Sequence, residues 1–408
     1  MIEFPDMREK TKHHLTKDEL IISGFSVCHA ISNMFLGTFV VSFLMHNSIN
    51  EIVSVSVYRL FYYFAMCIIF FLLANWCKHG NKKILFGMNI IIRIVLLALI
   101  ALLGTKAADY VIFLGVLHGI FDGFYSLPIY SITIEKVSYE RMVFFTGIKS
   151  MLKNTFKVII PVILGFIITT QSLQNTAWVI MVIAALEIIM LCLLSPSVNS
   201  EQKRADITGF IRSVKEYRPV KTFFTSEILR GFATILETVV TMYIVYVFHT
   251  DMNLGIWTTV FMFCTIIAAG AFGRFCSRRD YKWIVTLCSV FMLLTSTMLC
   301  INVNYITTLL YACTSTICFE IMYQISTANA IDMARTKFIP KDTRTEYLIV
   351  RNTMVFIGQW IAFVSLMYIG VFGLDKYLGI FVIISVIALI IGSFLSVSLT
   401  KAIDKNMK

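Results

Sequence analysis

The feature that most constrains this chain is a series of twelve long apolar segments that fill nearly all of its 408 residues. Each segment approaches or exceeds the ~20 residues that an α-helix needs to cross the ~30 Å hydrocarbon core of a bilayer. Charged residues make up only 14% of the chain, whereas soluble domains carry about 25%. The sequence therefore predicts an all-α membrane protein. Its predicted spans lie near residues 20–45, 52–75, 84–104, 109–134, 142–169, 176–195, 222–248, 252–276, 283–302, 305–333, 345–371 and 377–400.

The largest hydrophilic insert divides these spans into two sets of six. It covers residues 195–218 and is rich in Lys and Arg, and we expect it to form an amphipathic helix on the membrane surface. The predicted organisation is a cytoplasmic tail (1–19), a first bundle (20–195), a cytoplasmic linker (196–221), a second bundle (222–400) and a second cytoplasmic tail (401–408).

The two sets of six spans repeat each other at an offset of roughly 200 residues. Asp122 in the fourth span corresponds to Glu320 in the tenth, and Lys149 in the fifth corresponds to Arg351 in the eleventh. Each match is weak alone, but all occur in the same order along the chain. This pattern predicts two pseudo-symmetric six-helix bundles.

The distribution of Lys and Arg predicts the orientation in the membrane. With both termini inside, most of the 35 basic residues lie in the tails and the inner loops, and the outer loops carry only Lys106 and Lys376. Because cytoplasmic loops are enriched in Lys and Arg, we expect a multi-pass plasma-membrane protein with both termini cytoplasmic. The same rule explains the net charge of +11 without nucleic acid as a partner.

The sequence contains no pattern typical of catalysis or of cofactor binding. It has no phosphate-cradling Gly-rich loop, no catalytic Ser/His/Asp arrangement and no metal-ligand spacing among its ten Cys and seven His. We therefore expect no enzyme activity, no cofactor and no metal. The expected partners of this chain, which we take to be a monomer, are a small-molecule substrate, protons and the lipid bilayer.

Three stretches of sequence resemble a known family. Residues 270–279 keep the spacing of the loop signature G-x-x-x-D-x-x-G-R-R/K of the major facilitator superfamily, with Arg274 replacing the acid and Ser277 the second glycine. Residues 119–130 and 344–351 are similar to the YqgE-like transporters of Gram-positive bacteria. The resemblance implies the two-bundle fold, transport by alternating access, and a cavity lined by helices four, five, ten and eleven. It implies no particular substrate.

Three lysines at helical spacing form the most unusual feature of the spans. Lys149, Lys153 and Lys157 share one helix face, and Lys153 lies near the middle of the bilayer. The equivalent positions of Lys153 and Lys157 in the second half hold Val355 and Gln359, so the repeat does not require these cations. We hypothesise that Lys153 and Lys157 bind a phosphate, a carboxylate or an anionic lipid headgroup. The alternative is that they face a wet cavity lip or neutralise nearby acids.

Two acids at equivalent positions are the leading candidates for proton coupling. Asp122 and Glu320 lie about halfway along their spans, where a carboxylate is costly and usually functional. The alternative is that Asp122 pairs permanently with Lys149, and Glu320 with Arg351, to brace each half. His118 precedes Asp122 by one helical turn, so it is either a proton relay or a packed polar residue.

Further charged residues lie in other spans. We expect Glu237 to contact the cargo or a proton and Glu227 to be interfacial. Arg93 and Glu187 lie in helices three and six, which the resemblance places at the lipid-facing back of the first bundle. We expect them to pair or to extend to the interface, which Arg59 is also close enough to reach.

The remaining candidates are polar and aromatic residues of the same helices. Beyond the three lysines, the predicted cargo contacts are Arg351, Tyr125, Tyr323, Trp360 and Asn33. The predicted gate or structural contacts are Glu135, Arg141, Asp332, Arg344, Arg274, Arg278 and Arg279.

These observations predict a secondary active transporter that exports an anionic or amphipathic small molecule in a proton-coupled cycle. One alternative is uptake of a nutrient such as a sugar or a peptide. Another is a membrane receptor, or a partner subunit of a biosynthetic complex, that does not transport and docks through the linker.

Overall fold

The computed structural model describes residues 15–137, 142–195, 204–276, 278–334, 336–340, 343–373 and 377–406. Within these ranges, eleven helical stretches are long and apolar enough to cross a membrane. One of them, Lys82–Ile129, contains two helices joined by the 3-10 segment Gly104–Tyr110, so the described residues form twelve membrane-length helices. They are α1 (Lys17–Asn47), α2 (Glu51–His79), α3 (Lys82–Leu103), α4 (Val111–Lys136), α5 (Met142–Thr170), α6 (Leu173–Leu193), α7 (Arg218–Phe248), α8 (Asp251–Phe275), α9 (Tyr281–Ile301), α10 (Tyr305–Met333), α11 (Arg344–Val371) and α12 (Leu378–Asn406).

Polar side chains cap the helices at their N-termini. Thr16 and Glu19 form a reciprocal capping box at the start of α1, in which the Thr16 backbone N–H donates to the Glu19 carboxylate at 2.8 Å. Asn50, Thr250 and Asn304 accept backbone N–H bonds at the starts of α2, α8 and α10. Such a cap stabilises a helix by about 1 kcal/mol, and these caps fix where the spans begin.

The first helix of each half is interrupted near its middle. In α1 the segment Phe35–Phe39 is a π-helical turn, and α7 is broken at Thr234 between Arg218–Ala233 and Ile235–Phe248. Interruptions of this kind are frequent at functional sites because they redirect side chains and weaken the local hydrogen-bond ladder.

Within each half, small residues let helices pack closely. A Cβ atom on Gly119 of α4 would lie 2.1 Å from the Tyr62 carbonyl oxygen of α2. In the second half, a Cβ atom on Gly358 of α11 would lie 2.0 Å from the Ile228 carbonyl oxygen of α7. In lipid the hydrophobic effect does not bring helices together, so membrane helices associate through close contacts of this kind.

The two halves meet along α2 and α11 and along α5 and α8. We call the face where α1 begins and α12 ends the tail face, and the opposite one the distal face. At the distal face, the Ser42 hydroxyl donates to Asp251 at 2.6 Å and the Asn50 amide donates to the Gly370 carbonyl at 3.0 Å. These contacts join the halves, so the space between them is closed on the distal side.

The linker contains one described helix, Ile207–Val214, whose N-cap is Asp206. Phe210 and Val214 are buried against the second half, and the Phe210 ring lies 6.4 Å from that of Tyr347 on α11. A helix is therefore present where one was expected, but its buried side packs on the second half, whereas it was expected to lie on the membrane surface.

The outward surface of the helices is apolar. Large side chains such as Leu72, Trp283 and Ile306 expose about two thirds of their area. A lipid-facing surface has this composition because hydrocarbon cannot satisfy polar groups. The prediction of an all-α, multi-pass membrane fold is confirmed.

Candidate functional site

A cavity of about 560 Å³ lies between the two halves. Its wall is formed by α1, α2, α4, α5, α7, α8 and α10, and it extends toward the tail face as far as Ser26, Ile129 and Lys149. The volume lies in the ~300–1,000 Å³ range of small-molecule sites. Since the distal face is closed, this conformation exposes the cavity toward the tail face.

The three lysines of α5 all line this cavity. The four-residue spacing of Lys149, Lys153 and Lys157 places them at successive depths, about 6 Å apart along the helix. Lys149 Nζ lies 5.9 Å from the Phe145 ring. Among the described residues, no ion pair within 4.0 Å involves Lys153 or Lys157, so both present their charge to the cavity. Arg59 of α2 lines the same wall and donates to the Gly37 carbonyl at 2.5 Å, so it does not extend to the membrane interface.

Two carboxylates of the second half line the cavity opposite these cations. Glu237 follows the break in α7 and is exposed to the cavity, within electrostatic reach of Lys157 and Arg59. Glu320 of α10 is half-buried and accepts a hydrogen bond from the Gln324 amide at 3.1 Å.

Asp122 is held by a network of hydrogen bonds inside the first half. The His29 Nε2 atom lies 2.9 Å from its carboxylate, and the Asn33 amide donates at 3.4 Å to both oxygens. The Tyr62 hydroxyl also donates to Asp122, and the Tyr125 ring stacks on His29 at 3.5 Å. Asp122 is only 4% exposed, yet it still contributes to the cavity wall.

His118 is connected to this network but does not bond to Asp122 directly. Its Nδ1 atom is hydrogen-bonded to the Tyr58 hydroxyl at 2.7 Å, and its Nε2 atom to the Asn33 side-chain oxygen at 2.8 Å. Asn33 therefore bridges His118 and Asp122. The ring is fully buried, so a proton could reach it only through its neighbours.

Neither of the two braces considered from the sequence is formed. Among the described residues, Lys149 is not an ion-pair partner of Asp122, whose carboxylate is instead in contact with the His29 ring. Arg351 pairs with Glu227 at 2.9 Å and not with Glu320.

Glu227 is the centre of a buried network in the second half. It accepts from Arg230 at 2.5 Å and from the Ser326 hydroxyl at 2.9 Å, in addition to Arg351. Its side chain is 0% exposed, so the expectation that it is interfacial was wrong. The i, i+3 spacing of Glu227 and Arg230 was a signal of this pair in the sequence.

The aromatic candidates divide into two groups. Tyr125 lines the cavity, as does Asn33. Tyr323 instead covers Arg230, whose guanidinium lies 5.1 Å from its ring, and Trp360 packs near Phe64 at 5.9 Å. Tyr323, Trp360 and Arg351 do not contribute to the cavity wall, which argues against the predicted cargo contacts at these positions in this conformation.

The gate candidates that the structure describes lie at the tail face. Asp332 forms an ion pair with Arg278 inside the second half, and Arg279 and Arg344 are exposed. Arg141 and the side chains of Glu135 and Arg274 lie outside the described part of the chain.

Arg93 and Glu187 form the predicted pair between α3 and α6. Arg93 is 0% exposed and also donates to the Ser32 hydroxyl of α1 at 3.1 Å. The pair is therefore packed inside the first bundle and does not face lipid, because α1 covers it.

Comparison with known proteins extends over most of the chain. A family model described as Major Facilitator Superfamily matches residues 22–363. The uncharacterized protein YqgE of Bacillus subtilis (strain 168) is 24% identical over 162 residues, which are 40% of this chain and 36% of that protein. The chain thus matches only about a third of the length of this relative.

Solved structures show the same fold. A bacterial homologue of the human lysosomal transporter Spinster, in an inward-facing and unoccupied conformation, superposes with a TM-score of 0.64 at 12% identity, covering 97% of this chain and 99% of that one. An inward-facing bacterial homologue of the iron transporter ferroportin gives 0.62 at 11% identity, covering 93% of this chain and 98% of that one.

Proposed function

The chain belongs to the major facilitator superfamily, and from this premise we propose that it is a secondary active transporter for an anionic or amphipathic small molecule. The observation that carries the proposal is the cavity between the halves, whose wall includes lysines without described ion-pair partners. Charges inside a membrane protein are costly, and those that face a wet cavity usually mark a substrate or ion pathway.

Alternating access is supported by how the halves are joined. The distal contacts Ser42–Asp251 and Asn50–Gly370 each connect one half to the other, so rocking of the halves would break them together. The interruptions at Phe35–Phe39 and Thr234 lie in α1 and α7, both of which line the cavity, and provide places where these helices can bend.

Binding of an anionic group is supported by the α5 wall. Lys153 and Lys157 present ammonium groups to the cavity, and ammonium groups bind phosphate and carboxylate as point charges. Threonine hydroxyls of the opposite half, including Thr241 and Thr316, add neutral hydrogen-bonding groups. Tyr125 and Phe261 supply apolar surface for an amphipathic cargo.

We further propose that protons are coupled through the cavity acids. Asp122 and His29 are in contact and can hold a variable number of protons between them, which changes the net charge of the cavity beside Lys153. An anion bound to the lysines and a proton bound to this pair are therefore coupled in free energy, and the coupling is reciprocal. Asn33 extends the network to His118.

Export is the direction that we propose. The cavity extends toward the tail face, which the distribution of Lys and Arg predicts to be cytoplasmic, so this conformation is suited to loading a cytoplasmic cargo. Some similar structures are of a metal transporter or of a homologue of an iron transporter, but in the described residues no group of three or more His, Cys, Asp or Glu side chains could hold a metal ion.

The test is flux into and out of proteoliposomes, measured for anionic, zwitterionic and neutral small molecules with a pH gradient of either polarity. We expect gradient-driven flux of anionic cargo, loss of gradient dependence in Asp122→Asn or Glu320→Gln, and weaker anion preference in Lys153→Ala and Lys157→Ala. Full gradient-driven flux in both acid variants would remove proton coupling through these residues. An unchanged preference among anionic and neutral cargos in both lysine variants would remove the anion site.

A further inference from the structure

The charges of the cavity wall are separated between the two halves. The cations Arg59, Lys149, Lys153 and Lys157 all come from α2 and α5 of the first half. The first half also contributes Asp122, but this carboxylate accepts bonds from three side chains of its own half. The acids left to face a cargo, Glu237 and Glu320, come from α7 and α10 of the second half.

From this polarity we propose that the cargo is dipolar, with an anionic group bound by the lysines of α5 and an ammonium group bound by Glu237 and Glu320. The proposal rests on the proposed transport function and narrows its substrate class. An anion without a cationic end would leave the two carboxylates of the second half facing like charge, which is unfavourable in a cavity of low dielectric.

The two walls are held apart by the fold and not by mutual ion pairing. Among the described residues, no ion pair within 4.0 Å joins Lys153 or Lys157 to Glu237 or Glu320, although Lys157 and Glu237 are within electrostatic reach of each other. Groups of opposite charge that line one cavity without direct contact can each be satisfied by one end of a bridging ligand. A molecule with both charges would therefore connect the two halves.

A dipolar cargo would also explain how protons are exchanged for cargo. A proton and an ammonium group both neutralise a carboxylate, so they would compete for Glu237 and Glu320. Exchange requires that the two compete for one site. The carrier would then move outward with cargo bound and return with a proton bound in its place. The lysines would hold the anionic end only while cargo is bound.

The experiment measures binding to the full-length protein in detergent micelles, from the dependence of the melting temperature on ligand concentration. The probes are ω-aminoalkylphosphonates with two to six carbons, each compared with the alkylphosphonate and the alkylamine of the same length. We expect the dipolar compound of the best length to bind about tenfold more tightly than either singly charged compound, the usual gain from one added charged partner.

Four substitutions test the binding of the two ends of the dipolar compound separately. In the double variant Glu237→Gln with Glu320→Gln, the dipolar compound should bind no better than the alkylphosphonate. In Lys153→Ala with Lys157→Ala, it should bind no better than the alkylamine. Glu216→Gln and Lys221→Ala are the controls, because both residues are exposed and outside the cavity wall, and they should leave the tenfold preference unchanged.

Two results overturn the proposal, and they are distinguishable. If the alkylphosphonate binds as tightly as the dipolar compound and the glutamine variant does not weaken either, the cargo is a simple anion and the proposed transport function stands. If no compound of the series binds, or if the lysine variant binds all of them like the native protein, the anion site fails together with the dipolar cargo.

Discussion

Replacing Gly255 by alanine should open the distal face. Gly255 of α8 lies where the two halves meet, and a Cβ atom there would be 2.4 Å from the Pro161 carbonyl oxygen of α5 and 3.3 Å from the Gly165 Cα atom. Ordinary contact begins at 3.4 Å, so the two helices must separate by about 1 Å. The obstacle is backbone on a second helix, which cannot move aside as a flexible side chain would.

The magnitude follows from the cost of overpacking, which is about 1–3 kcal/mol. In the alternating access proposed above, α5 and α8 would part at this point when the distal face opens, so the penalty would apply only to the conformation in which that face is closed. A penalty of that size on one of two conformations shifts their ratio roughly 5- to 150-fold toward the other.

Hydrogen–deuterium exchange with mass spectrometry measures this shift without labels. In Gly255→Ala, peptides at the distal ends of α1, α5 and α8 should exchange faster than in the native protein. Gly270→Ala is the matched control, because it lies on the same helix and a Cβ atom there has nothing within 4 Å. Equal exchange of the distal peptides in the two variants would mean that this contact does not hold the distal face closed.

Three further predictions concern polar contacts. Glu227→Ala leaves the buried Arg230 and the half-buried Arg351 without their carboxylate and should destabilise the protein by about 3–5 kcal/mol, seen as a lower melting temperature, whereas Glu216→Ala at an exposed site should not. Arg93→Ala should lower the free energy of unfolding by a similar amount, because it leaves Glu187 without a cation in the core of the first bundle. The double replacement of Arg93 and Glu187 should recover part of that stability. Ser42→Ala removes a distal hydrogen bond to a carboxylate and should increase distal exchange, but less than Gly255→Ala; an effect on the tail face alone would contradict this.

The fold was predictable because the sequence patterns that indicate it each extend over many residues. Twelve apolar spans, the basic inner loops and the offset repeat each extend over many residues, so local exceptions do not change the result. The π-helical turn Phe35–Phe39 and the break at Thr234 were not predicted. Both depend on how neighbouring helices pack, which hydropathy does not report.

The site was only partly predictable because its pairings depend on side-chain direction. Helical spacing was enough to place the three α5 lysines on one face, and the structure brings all three to the cavity. It was not enough to choose the partner of Asp122, since His29 lies on α1, 93 positions away in the sequence. The repeat offered Glu320 as one alternative partner for Arg351, but Arg351 pairs with Glu227 on α7 at 2.9 Å.

In the proposed transport cycle, cargo crosses the membrane through the cavity beside Lys153 and Lys157. The most direct measurement is counterflow in proteoliposomes preloaded with the tightest-binding phosphonate of the series, with the same compound added outside in labelled form. The native protein should accumulate label transiently, and the variant that carries both lysine-to-alanine substitutions should not. Native protein that binds the compound and shows no counterflow would be a receptor, and label that accumulates equally in the lysine variant would place the pathway elsewhere.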